Sequence, residues 1–417
     1  VSQPITLNTE QQASGSFRAA QWRMLLATMF CYLFYYTGRQ AFGFAMPGIQ
    51  QELGLDKRAL GWISAGLMWS YALGQAINGN LGDKLGGRRM VSLGALLSCA
   101  MCWVMSFGSS FTSLLVAWSI NGFVQSMGWA PGSRVISNWW GHSERGRAYG
   151  FYTLAAGGSS ILTYLTSTLV IVVLGLGWRW IFRLPVLLMV IGGVAYYFIV
   201  RDRPEDLGFT QPGDSGKGKQ EPAESSINRY LGVVSNWRFG VASLSIGFQS
   251  VARYGLLVWV PVHFLGKDNP AAKWISIALP VGMAMGAMCN GWLSDRFFRE
   301  ARSRGIAIFM VLAAVSAAAM YLLPLGTTGG IVLLFLCGFF TYGPQSAFWA
   351  LCPDLLGSQR AGTGTGVMDM CAYVFAGLGG PFIGWMIQSH GDQTALIFPV
   401  VAASCLLSAV VALFIRR

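Results

Sequence analysis

Two arginines stand in the middle of stretches that otherwise carry almost no charge. Arg39 follows Tyr32-Leu33-Phe34-Tyr35-Tyr36-Thr37-Gly38, and Arg253 precedes Tyr254-Gly255. A guanidinium is charged at any physiological pH and offers a planar fork of donors matched to phosphate or carboxylate. Placing one at the centre of a bilayer costs at least about 2.5–3.5 kcal/mol on insertion scales, so each one needs a reason. Facing one chamber, the pair makes a site for a polyvalent anion, with the nearby tyrosine hydroxyls as neutral donors. Paired instead with buried acids or helix carbonyls, they are structural. That structural reading is the expectation for Arg134 and Arg183. Asp369, the one acid well inside an apolar segment, is either the counter-ion of Arg253 or a proton carrier. Asp354, at a helix end, reads as structural, and His263 as interfacial.

The elements that must position these residues are membrane spans. Hydrophobic residues make up 54% of the 417-residue chain and charged residues only 11%, against about 25% charged in soluble domains. The mean hydropathy is +0.50. Apolar runs of about 20 residues recur along the whole length, and twelve spans are expected, at roughly 22–46, 60–81, 90–108, 112–138, 147–174, 180–200, 237–264, 274–293, 305–323, 330–353, 362–388 and 393–415. The polar stretch between the sixth and seventh contains Pro212-Gly213-Asp214-Ser215-Gly216-Lys217-Gly218-Lys219 and reads as a linker. The expected organisation is therefore a six-helix bundle over residues 1–200, a cytoplasmic linker over 201–236 and a second bundle over 237–417. The polar N-terminus has no signal-peptide layout, so the first span is expected to insert as its own anchor.

Net charge is +12, but the basic residues form no single patch of the kind that binds nucleic acid. Twenty of the 29 lysines and arginines fall on the side holding both termini and the linker, five on the opposite side and four within spans. That bias places both termini in the cytoplasm. The eight cysteines lie in or beside apolar spans, form no CxxC pair and read as small hydrophobes. Glycines crowd spans five and eleven (Gly157, Gly158, Gly377, Gly379, Gly380), where they serve either gating surfaces or close static packing.

The halves repeat. Gly79-Asn80-Leu81-Gly82-Asp83 returns as Gly291-Trp292-Leu293-Ser294-Asp295, 212 residues later, and Arg39 returns as Arg253, Pro131 as Pro344 and Arg145 as Arg360 at offsets of 214, 213 and 215. Internal repeats with a substrate site at their interface mark secondary transporters. Gly82-Asp83-Lys84-Leu85-Gly86-Gly87-Arg88-Arg89 resembles the signature loop of the major facilitator superfamily, with a weaker second copy from Gly291 to Arg299. Asp83 and Arg88, with Asp295 and Arg299 in the copy, are the candidate gating residues, since an acid beside arginines or a helix N-terminus can latch one packing of the bundle.

Beyond the loop, the sequence resembles the organophosphate:phosphate antiporter family within that superfamily. The matching stretches are Tyr35-Tyr36-Thr37-Gly38-Arg39 through Ala45-Met46-Pro47, Gln125-Ser126-Met127-Gly128-Trp129-Ala130-Pro131, Asn138-Trp139-Trp140 leading to Glu144-Arg145-Gly146, Arg253-Tyr254-Gly255-Leu256-Leu257, and Tyr342-Gly343-Pro344. The resemblance implies an all-α membrane protein of two pseudo-symmetric six-helix bundles. It also implies rocker-switch alternating access without ATP, and the exchange of organic phosphate for inorganic phosphate. By the same resemblance Arg39 and Arg253 grip the substrate phosphate, and Tyr32, Tyr35, Tyr36, Tyr71, Tyr342 and Tyr373 line the cavity. Four departures bear on the substrate. Gln40 and Gln75 replace lysines found in relatives, Ala156 stands where the glycerol-3-phosphate transporter has a histidine, and Asp369 stands where relatives have a small residue. A substrate of lower charge than a phosphomonoester dianion follows, such as a phosphodiester, a phosphonate or a carboxylate.

The expected function is secondary active transport of a small organic anion, most readily an organic phosphate or phosphonate, in exchange for phosphate or coupled to protons. The alternatives are a sugar-acid or carboxylate proton symporter, against which Gln125 stands where a coupling acid belongs, and a transporter-like sensor of organic phosphate. No metal cluster, nucleophile elbow or phosphate-binding glycine loop is present in the sequence, so neither an enzyme nor a cofactor is expected. The expected setting is a monomer in the lipid bilayer of a bacterial inner membrane, with no nucleic-acid partner.

Overall fold

In the computed structural model, residues 6–140, 145–209, 226–265, 275–297, 302–323, 326–356 and 361–415 are described, and helices account for every regular element among them. The first crossing comprises α1 (Thr6–Tyr35), a 3-10 turn over Tyr36–Gly38 and α2 (Phe42–Leu53). The second and third are α3 (Lys57–Leu85) and α4 (Gly87–Ser106). The fourth is divided into α5 (Phe111–Gln125) and α6 (Trp129–Trp139). The fifth is α7 (Arg145–Thr168), and the sixth is a 3-10 turn (Trp178–Phe182) followed by α8 (Leu187–Ile199). After a short α9 (Ser226–Val234), the second half runs through α10 (Trp237–Leu265), α11 (Ala278–Phe297) and α12 (Arg302–Leu322). Its fourth crossing is again divided, into α13 (Thr327–Tyr342) and α14 (Gln345–Leu356), before α15 (Ala361–Ser389) and α16 (Ile397–Leu413).

Each expected span falls on one of these crossings. Eight helices are long and apolar enough to cross a bilayer on length and composition alone. The other four crossings miss that test for local reasons. The first and fourth are interrupted, α3 carries Ser64, Ser70, Gln75 and Asn78 along its middle, and α11 is apolar only over Ala278–Asn290. Two helical stretches were not expected. α1 begins at Thr6, well before residue 22, because Glu10, Gln11, Gln12 and Ala13 favour a helix while being too polar to look like a span. The stretch between the halves holds a 3-10 turn (Pro204–Leu207) and α9, whose Val233 is fully buried while Leu231 stays exposed.

The bundle is apolar outside and polar inside. Leu73, Val104, Ile191 and Phe198 are more than half exposed, whereas Asn121, Gln125, Ser159, Gln249 and Ser245 are buried. That is the arrangement a hydrocarbon solvent selects, since polar groups there must find partners within the protein. At the helix ends, the Asp56 carboxylate accepts a 2.6 Å bond from the Ala59 N–H at the start of α3, and Ser110 caps α5 together with Ser113.

With an even number of crossings, both termini lie at one end of the bundle. The halves meet along three pairs of crossings: one with seven, two with eleven, five with eight. Their close contacts lie between mid-bundle and the end far from the termini. The backbones touch there: a Cβ on Gly43 would come within 2.2 Å of the Val258 carbonyl oxygen, and one on Gly384 within 2.3 Å of that of Lys57. The Tyr164 hydroxyl donates to the Leu257 carbonyl at 2.7 Å, the Trp69 indole to that of Val374 at 3.1 Å, and Gln388 to Asp56 at 3.1 Å. Lys57 forms a 2.8 Å ion pair with Asp392 at the far rim.

Candidate functional site

Arg39 is placed by a break in the first crossing. The helix tightens to a 3-10 turn over Tyr36–Gly38 and restarts at Phe42, leaving Arg39 at φ −124°. Freed backbone groups inside a membrane must be satisfied by neighbours, and the fourth and fifth crossings supply partners. The Asn121 amide donates to the Gly38 carbonyl at 2.6 Å, the Gln125 amide to the Tyr35 carbonyl at 3.0 Å, and the Tyr36 N–H donates to the Ser159 hydroxyl at 3.0 Å. Ser98 ties the two amides together, donating to Asn121 and accepting from Gln125, both at 2.6 Å. Gln125, which the sequence marks as the missing coupling acid of a rival family, is thus a brace for the break. Arg253, by contrast, sits on an unbroken α10, whose Gln249 donates to the Thr341 carbonyl at 2.9 Å.

The two guanidinium groups end up in one aromatic chamber. Arg39 lies 4.0 Å from the Tyr36 ring centre and 4.8 Å from that of Tyr71, and Arg253 lies 4.1 Å from Tyr342 and 4.8 Å from Tyr254. Such faces attract a cation through the ring quadrupole, by about 2 kcal/mol or more when water is excluded. The Tyr373 hydroxyl joins the halves: its oxygen accepts from Arg39 Nη1 at 3.2 Å and from the Tyr254 hydroxyl at 2.8 Å. The Tyr71 and Tyr373 rings meet at 4.4 Å. Arg39 is 3% exposed and Arg253 7%, and among the described residues no carboxylate comes within ion-pairing distance of either. The Nε of each has no hydrogen-bond partner. Two buried cations with no carboxylate in contact are costly, and the arrangement answers that cost when an anion enters.

A cavity of about 50 Å³ opens beside Arg253, lined by Tyr32, Tyr36, Tyr71, Arg253, Tyr342 and Tyr373 among the residues expected there. Arg39 is not on its wall, but it touches three residues that are, Tyr36, Tyr71 and Tyr373. Asp369 is on its wall and forms no ion pair with Arg253. Ala156 is on the wall as well, and Trp129, Thr153, Gln345 and Trp349, which were not foreseen, complete it. The halves' repeat offered a clue to one of them, since Trp129 and Tyr342 are 213 residues apart, the interval of Pro131 and Pro344. Tyr35 does not reach the cavity. Its hydroxyl donates to the Val91 carbonyl at 2.5 Å, and its ring stacks on Tyr32. Gln40 is buried with both amide atoms unpartnered, and Gln75 has an unpartnered Nε2, but neither lines the cavity.

Asp83 and Asp295 occupy matching places near the ends of α3 and α11, and Arg299 lies outside the described residues. Arg88 is held within the first half. Its N–H donates to Asp202 at 2.9 Å, its Nε to the Tyr197 carbonyl at 2.6 Å, and its guanidinium covers the Tyr197 ring at 4.4 Å. Asp202 is the acid that satisfies the N-terminus of α4, which the loop motif alone did not reveal. Arg183 bonds Ser106 at 2.9 Å and lies against Phe107 at 4.8 Å, a structural role as expected. His263 meets Thr394 at 2.9 Å near the far end.

Twelve crossings in two related sets of six, closed around a central chamber, define a secondary-transporter architecture. The chain belongs to the Major Facilitator Superfamily, which it matches over residues 28–380. It is similar to the probable hexose phosphate transport protein of Chlamydia trachomatis, at 27% identity over 90% of this chain and 88% of the relative. It is similar to the glycerol-3-phosphate transporter of Bacillus subtilis, at 24% over 96% and 93%. A third relative is the membrane sensor protein UhpC of Salmonella typhimurium, at 25% over 90% and 87%. The resemblance to the organophosphate:phosphate antiporters is thereby borne out. Among solved structures, a bacterial homologue of the human lysosomal transporter Spinster superposes with a TM-score of 0.76 at 17% identity, covering 95% of each chain, and shares the fold.

Proposed function

We propose that the protein carries a small organic phosphate or phosphonate across the bacterial inner membrane by alternating access, in exchange for inorganic phosphate. The observation that carries this reading is the pair of buried guanidiniums, one from each half, with no carboxylate partner among the described residues. The relatives named for glycerol-3-phosphate and hexose phosphate support the same substrate class. With both termini cytoplasmic, as the lysine and arginine bias favours, the far-end contacts describe a bundle shut towards the outside. Arg39 and Arg253 bind the phosphoryl oxygens, and Tyr36, Tyr71, Tyr342 and Tyr373 orient them and supply hydroxyls. Bound anion neutralises the two cations, and the halves rock about the site. Proton symport is a second reading, favoured by the one acid on the cavity wall, Asp369.

Counterflow into proteoliposomes loaded with phosphate, against a panel of phosphate esters, phosphonates and sugar acids, tests the proposal. Accumulation of phosphoryl compounds is expected, and Arg39→Lys and Arg253→Lys each abolish it in protein that remains folded. Accumulation of sugar acids driven by pH, with no need for internal phosphate, would overturn the substrate class. Binding without turnover would make the protein a sensor.

A further inference from the structure

The proposed anion site leaves one charged group unused. Asp369 lies on α15 one turn before Tyr373, so both side chains share a face, and both line the cavity with Arg253. Its carboxylate makes no hydrogen bond or ion pair among the described residues. Other acids of the chain do: Asp354 pairs with Arg302 at 3.2 Å, and Asp392 pairs with Lys57 at 2.8 Å. A carboxylate within the membrane is costly, and the charges of Arg253 and Arg39 act on this one without making contact with it. Its position is also tied to the site by the repeat. Asp369 and Ala156 are 213 residues apart, the interval that relates Pro131 to Pro344, and both line the cavity.

Charge and surroundings define what the carboxylate faces. Arg253 and Asp369 on the wall, together with Arg39 held against the wall residues Tyr36, Tyr71 and Tyr373, give the chamber a net charge of +1. A phosphomonoester dianion would leave it at −1, with Asp369 repelling the substrate across a cavity of about 50 Å³. One ammonium on the substrate brings the sum to zero. Trp129 and Trp349 also line the cavity, and indole faces attract ammonium groups. We infer that the substrate is a small zwitterion, a phosphate or phosphonate joined by a short spacer to a protonated amine. The phosphoryl end lies on the two arginines, and the ammonium lies against Asp369 and the tryptophans. Plain phosphate esters are then disfavoured by repulsion from Asp369 rather than by lack of contacts.

The inference rests on the anion site proposed above, and calorimetric titration of the purified full-length protein separates the two. The probes are inorganic phosphate, 2-aminoethylphosphonate, and ethylphosphonate, which lacks only the amine. The aminophosphonate is expected to bind at least tenfold more tightly than ethylphosphonate, and Asp369→Asn to bring that ratio close to one. Should Asp369→Asn not fold, the wild-type ratio alone decides. Phosphate binding with equal or better affinity for ethylphosphonate overturns the zwitterion while leaving the anion site standing, and frees Asp369 for proton coupling. Failure of all three probes to bind overturns both.

Discussion

At the scale of residues, the decisive object is the Tyr373 hydroxyl. Its oxygen takes a bond from Arg39 of the first half and another from Tyr254 of the second, so its own proton remains to be donated to an anion. Hydrogen bonds to charged groups contribute about 1.5–3 kcal/mol each. Tyr373→Phe is therefore expected to raise the half-saturating substrate concentration roughly tenfold or more in proteoliposome uptake. Unchanged saturation would remove Tyr373 from the site. The arginines are less forgiving. Lysine keeps the charge but loses the fork and the planar face that rests on two tyrosine rings, hence the expected loss of transport in Arg39→Lys and Arg253→Lys.

At the scale of elements, the two halves are related in sequence but build their arginines differently. α10 carries Arg253 on a regular helix, whereas the first crossing breaks at Tyr36–Gly38 and is braced by Asn121, Gln125, Ser98 and Ser159. The brace is a connected polar network, and removing one member strands the others. Asn121→Ala leaves the Gly38 carbonyl without its 2.6 Å donor. The expected cost is about 1–3 kcal/mol of stability, with a fall in uptake as Arg39 loses its fixed position. Thermal unfolding in detergent together with uptake checks this, and a variant matching wild type in both would mean that the break is held by other means.

At the scale of the whole molecule, function requires two packings of comparable free energy, and the far-end contacts bias the balance. The Lys57–Asp392 pair is exposed on the Asp392 side, so it contributes no more than about 1 kcal/mol. Asp392→Lys replaces that attraction with repulsion and should populate the form open at the far end. Apparent affinity scales with the competent fraction, and 1 kcal/mol corresponds to roughly a fivefold change in an equilibrium constant. External substrate should therefore half-saturate uptake at a concentration up to roughly fivefold lower. A rise instead would place the substrate entrance at the other end of the bundle.

Sequence alone determined the twelve crossings, the two-fold repeat and the two arginines at equivalent places. A bilayer demands long apolar runs and penalises every charge within them, so these features are written locally. Only the tertiary structure decided which aromatic residues face the chamber. Tyr35 and Tyr36 are neighbours in the chain, yet one hydroxyl is committed to the Val91 carbonyl while the other ring carries Arg39. Trp349 and Gln345 gave no signal of their own and reach the cavity because the tenth crossing is divided just before them. Which face of a helix is covered depends on the neighbour that packs against it, and that neighbour is set by contacts far apart in the chain.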